Sequence, residues 1–177
     1  TPSIVLKAIN IAVSGGQRIK GIPWSLDLWT PFIVTAWMVI NLSVGSRKGE
    51  STELPGDVDS NDWFTRASVT YNVKNRTYLD PPDEVLDSMQ EGDHAALAPR
   101  GSKCDTWGTC HGTEPIILPF HDDPLNAAKW LRDIERRRPV HGTARSTAPL
   151  FAKDDGTPFK DAAFASLIMA VLVATVG

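Results

Sequence analysis

The sequence predicts an α+β fold, mostly helical, with a small antiparallel three-stranded sheet. Three observations carry this. A nearly unbroken apolar run from Phe32 to Val44 marks a central buried helix. Val69, Tyr71 and Val73 alternate with Ser68, Thr70 and Asn72, the period of a half-buried strand. Leu125, Ala128, Leu131 and Ile134 fall on one stripe of an amphipathic helix.

The totals suit this reading. A chain of 177 residues, 42% apolar and 22% charged, is long enough for one well-buried core. Its net charge of −3 excludes binding to nucleic acid through overall charge and leaves only a local basic surface for that role. Two cysteines, Cys104 and Cys110, are too few for a disulfide scaffold. No basic segment followed by an apolar core and a small-residue cleavage site opens the chain. The first residue is threonine and the last lies in an apolar run, so both ends read as cut.

Along the chain, Ile4, Val5, Ala8, Ile9 and Ala12 predict a short helix over 3–13, ended by Gly15-Gly16. Gln17 to Ser25 reads as loop, so residues 1–27 form a leading helix and loop before the main unit, 28–177. Thr30-Pro31 starts the central helix, with threonine as cap and proline in the first turn. From Pro31 to Val44 it would be about 21 Å long, against roughly 30 Å for a bilayer core. A buried helix is therefore expected, with no membrane partner.

Beyond an acidic, turn-rich stretch (Glu50 to Asp62), the strand candidates are Val69 to Val73, His94 to Ala98 and Pro115 to Leu118. Residues 74–93 read as an extended connection containing one short helix, Asp83 to Gln90. Asp122-Asp123-Pro124 opens the amphipathic helix, on which Lys129, Arg132, Asp133 and Glu135 are expected to point outward. Arg136, Arg137 and Arg138 sit in its last turn, complementing the helix dipole, and Pro139 ends it. A final apolar helix spans about Asp161 to Val176.

The chemical candidates are few. Cys104, Cys110 and His111 offer three ligands where structural zinc takes four, so no metal is expected. His94, His121 and His141 share no paired spacing and read as surface residues. No phosphate-cradling glycine loop or Gly-x-Ser-x-Gly elbow occurs, so no nucleotide or other cofactor is expected. Asn75-Arg76-Thr77 fits a glycosylation pattern by chance composition. Two places remain: Arg47 with Glu50, directly after the central helix, and Lys103 between the second and third strand candidates. Taken singly, each reads as a surface salt bridge or a loop lysine.

Together and in this order they resemble the tyrosine recombinases, the phage-integrase type. Val44-Gly45-Ser46-Arg47-Lys48-Gly49-Glu50, followed by Leu54 and Asp57-Val58-Asp59, resembles that family's first box, Gly-x-Arg-x-x-Glu. Ser102-Lys103-Cys104-Asp105-Thr106-Trp107-Gly108 is similar to its lysine-bearing hairpin, and Ile116-Ile117-Leu118-Pro119 to the strand that follows. Leu150-Phe151 and Gly156-Thr157-Pro158 resemble its later elements, so the likeness covers roughly residues 28–177.

The resemblance implies DNA recombination or integration by phosphoryl transfer at a DNA phosphodiester. Arg47 would hold the non-bridging phosphate oxygens, Glu50 would support the region around Arg47, and Lys103 would protonate the leaving 5′ oxygen. The partner would be duplex DNA, the parent enzyme a homo-oligomer on it, and the setting intracellular, nuclear in a eukaryote.

The chain also departs from the pattern. Ser51 stands where an apolar residue is usual, Asp57 falls one residue early, and 74–93 is long. No His-x-x-Arg occurs, since His141 and Arg145 are one residue too far apart. Tyr71 and Tyr78 both precede Lys103, the wrong order for the attacking tyrosine. The chain thus reads as the first part of such a domain, inactive alone. An inactive DNA-binding relic of a mobile element, or an unrelated soluble α+β domain, are the other readings.

Overall fold

A computed structural model describes residues 2–45, 51–53, 63–98 and 114–176. Helix α1 (Pro2–Ser14) turns Val5, Ala8, Ile9 and Ala12 inward. It stops at Gly15, whose positive φ of 66° favours glycine. The following stretch, expected as loop, instead forms a two-stranded hairpin, β1 (Arg18–Ile19) with β2 (Ile22–Pro23). Lys20 and Gly21 make its turn, both at positive φ.

Helix α2 (Trp29–Val44) is the centre of the molecule, burying Phe32, Ile33, Val34, Ala36, Met38, Val39 and Ile40. Its 16 residues correspond to about 24 Å. No helix among the described residues is long and apolar enough to cross a membrane. The expected Thr30 cap is absent: Leu28 precedes the helix without a side-chain cap, and the Thr30 hydroxyl donates to Asp154 at 2.7 Å. At the other end Gly45 adopts φ 63°, and its N–H returns to the Asn41 carbonyl at 2.9 Å.

The main sheet is antiparallel, with four strands in the order β4-β3-β5-β6. The three expected strands are present as β3 (Val69–Val73), β5 (His94–Leu97) and β6 (Ile116–Pro119). The fourth, β4 (Arg76–Tyr78), corrects the reading of 74–93 as a plain connection. That hairpin was hidden because Lys74 and Asn75 both take positive φ, 51° and 62°, without a glycine to signal it. Helix α3 (Asp83–Asp87) then leads to β5. Val69, Tyr71, Val73, Ala95, Leu97 and Leu118 of the sheet are buried.

Helix α4 (Ala127–Arg137) starts three residues after Pro124, because Asn126 is the cap; its side-chain oxygen accepts from Lys129 N at 2.9 Å. Helix α5 (Asp161–Val176) occupies the expected span and buries Phe164, Leu167, Val171 and Thr175. α2 packs against α4 and α1, α1 also against α5, and their side chains share one core with the inner face of the sheet.

Candidate functional site

Arg47, Glu50 and Lys103 lie outside the described residues, as do Cys104, Cys110 and His111. The structure does describe what flanks them. Arg47 follows the Gly45 cap by two residues in sequence. Ser51 and Thr52 are buried, and Glu53 pairs with the start of α5: its N–H donates to Phe159 O at 2.9 Å, and its carbonyl accepts from Asp161 N at 3.1 Å. The Thr52 hydroxyl adds a bond to the Asp161 carboxylate at 3.2 Å. In sequence, the box is flanked by the Gly45 cap of α2 and by Thr52 and Glu53, which bond to residues 159–161.

Lys103 lies in the connection between β5 and β6. These strands are antiparallel neighbours, with Leu97 opposite Ile116 and His94 opposite Pro119. Lys103 thus falls, in sequence, between two paired antiparallel strands. Ser51, where the resemblance would lead one to expect an apolar residue, is only 2% exposed, and its hydroxyl has no hydrogen-bond partner among the described residues.

Several other expectations change. Glu135, expected to face outward, is 3% exposed and lies between Arg66 and Arg145. Arg145 Nη2 donates to Glu135 Oε1 at 2.9 Å and to the Arg66 carbonyl at 3.0 Å. Arg66 Nη1 stands 3.2 Å from Glu135 Oε2. Burial lowers the Arg66 pKa, opposed chiefly by the negative charge of Glu135. The sequence carried a signal for this cluster: Glu135 is four residues beyond Leu131 and seven beyond Ala128, on the inward stripe of α4. Nothing comparable marked Arg66 or Arg145.

Of the arginines closing α4, Arg136 and Arg137 are exposed and Arg138 half-buried, and each has a partner. The Arg138 guanidinium lies 4.1 Å above the Trp29 ring and contacts Asp154 at 3.1 Å. That of Arg137 is 3.9 Å from the Phe32 ring centre and donates to Leu26 O. Arg136 pairs with Asp87 at 2.8 Å.

Tyr71 is fully buried, and its hydroxyl donates to Leu131 O at 3.0 Å. Burial, then the charge of Glu135, raises its pKa well above the phenol range. Such a group attacks nothing. His141 is exposed, with Nδ1 2.8 Å from Asp80 Oδ1, while Arg145 turns inward to Glu135.

No family model matches the sequence, and no curated protein or solved structure matches it either. The case for function therefore rests on residue order and on the elements that carry it.

Proposed function

We propose that this chain holds a DNA phosphate for strand breakage and rejoining of the tyrosine-recombinase kind. One observation carries the reading. A buried helix capped by Gly45 leads into the Arg47 box, and an antiparallel pair, β5 and β6, brackets the connection bearing Lys103. That order of elements supports the reading. An arginine just beyond a packed helix end has a fixed base from which its planar fork can grip two phosphate oxygens. A lysine between paired strands is carried on a supported arm and can deliver a proton to a leaving oxygen.

The division of labour follows from charge. Arg47 stabilises the extra negative charge that builds on phosphorus in the transition state. Glu50 supports the chain around it, and Lys103 serves the leaving 5′ oxygen. The attacking group is not among these residues, because both tyrosines precede Lys103 and Tyr71 is buried. The chain by itself would hold DNA without cutting it. The bonds of Thr52 and Glu53 to Phe159 and Asp161 also support the reading, since a phosphate grip depends on a fixed backbone.

The test is duplex binding by fluorescence anisotropy, with salt varied from about 50 to about 200 mM. Phosphate contacts give a negative slope of log affinity against log salt, about 0.9 per contact. Arg47→Ala and Lys103→Ala are expected each to lower affinity and flatten that slope by about one contact. A wild-type chain with no salt-dependent affinity for duplex DNA would overturn the proposal.

A further inference from the structure

The β3–β4 hairpin has a turn built against local preference. Lys74 and Asn75 form a two-residue loop closed by the Val73–Arg76 pair. Both loop residues have positive φ, 51° and 62°, the backbone that a tight hairpin of this handedness needs. Asparagine tolerates that region, whereas lysine is disfavoured there. Asn-Gly is the sequence such a turn prefers. A lysine held at the first position is a strained choice, one that Lys20 shares in the β1–β2 turn.

The turn is also held firmly. Asp93 is 6% exposed, and its carboxylate is spent on two backbone N–H groups, Lys74 N at 2.8 Å and Gln90 N at 2.9 Å. The Lys74 and Arg76 side chains are free among the described residues, whereas the Thr77 hydroxyl accepts from Asn72 Nδ2 at 3.3 Å. Lys74, Asn75, Arg76 and Thr77 are all exposed. Among the described residues, neither Lys74 nor Arg76 forms an ion pair, although Glu84 of α3 lines the same shallow groove. This contrasts with α4, where Arg132, Arg136 and Arg138 each pair with an aspartate. Lys74 and Arg76 are thus two unpaired cations close together on one hairpin of a chain of net charge −3.

We infer that Lys74 and Arg76 are a second anchoring point for the DNA backbone, separate from the phosphate held by Arg47 and Lys103. The inference rests on the reading of the chain as a DNA-binding one. The hairpin presents a point charge and a planar fork to phosphate oxygens, contacts that position a duplex without reading its sequence.

The test separates charge from turn strain. Lys74→Asn, Asn75→Gly, the double variant Lys74→Asn/Arg76→Gln and a charge control on α1, Lys7→Asn, are titrated with the same labelled duplex at several salt concentrations. Melting midpoints are measured alongside. Lys74→Asn and Asn75→Gly should both melt higher than wild type, because each suits positive φ better. Only the first should flatten the salt slope, by about 0.9, and the double variant should flatten it by about 1.8. Asn75→Gly and Lys7→Asn should keep the wild-type slope. A folded double variant with an unchanged slope, where Arg47→Ala still flattens it, overturns this inference and leaves the phosphate-holding reading standing. A wild-type chain that shows no salt-dependent binding overturns both.

Discussion

Arg145 Nη2 meets Glu135 Oε1 at 2.9 Å, and both side chains are 5% exposed or less. With Arg66 on the other carboxylate oxygen at 3.2 Å, the pair ties the end of α4 to the turn entering β3 and to the turn after α4. Removing one member leaves buried charge without its counterpart, which costs about 3–5 kcal/mol. Glu135→Ala should therefore lower unfolding free energy by roughly that amount in urea titration, enough to threaten folding. Replacing Arg66, Glu135 and Arg145 together by Met, Leu and Met should recover most of the loss. A mild effect of Glu135→Ala, below about 1 kcal/mol, would show that the cluster does not hold these elements together.

Ser51 gives the opposite expectation. Its hydroxyl is buried and without a partner among the described residues, an arrangement that costs about 1–3 kcal/mol. Ser51→Ala should be neutral or raise stability by about 1 kcal/mol, measured by thermal or chemical unfolding. Because Ser51 directly follows the Arg47 box, the same variant should leave duplex affinity unchanged. Clear destabilisation would mean that the hydroxyl supports the fold.

Asp80 sets a pH dependence. Its carboxylate accepts from Gly142 N at 2.8 Å and faces His141 Nδ1 at 2.8 Å, pinning the turn after α4. The Gly142 N–H first, and then His141, lower its pKa below the ordinary carboxylate value. A depressed folded-state pKa adds stability that is present above the unfolded value, about 3.9, and is lost as pH falls through the folded one. Melting midpoints from pH 7 down to about 3 should fall more steeply for wild type than for Asp80→Asn at the acid end. Parallel curves would remove Asp80 from the acid response.

The sequence made the apolar skeleton readable. The Phe32–Val44 run, the Val69–Val73 alternation and the Asp161–Val176 helix match α2, β3 and α5 because burial writes itself directly into hydrophobic period. What went unread depended on backbone geometry or on partners distant in sequence. Lys74-Asn75 makes a tight turn without glycine, and Lys20-Gly21 another in a stretch read as loop. Glu135 is inward because Arg66 and Arg145 arrive from turns 69 and 10 residues away, a meeting no local pattern records. The candidate site is legible only as an order of motifs, since Arg47, Glu50 and Lys103 lie outside the described residues.

The central claim is that Arg47 and Lys103 act on one phosphate, and a double-mutant cycle on duplex affinity tests it most directly. Arg47→Ala, Lys103→Ala and the double variant are titrated with the same DNA at one low salt concentration. Two side chains sharing a single group should couple by about 0.5–3 kcal/mol, so that the second substitution costs much less once the first is made. Losses that add to within about 0.3–0.5 kcal/mol would mean that the two residues work at separate places, and would contradict the shared phosphate.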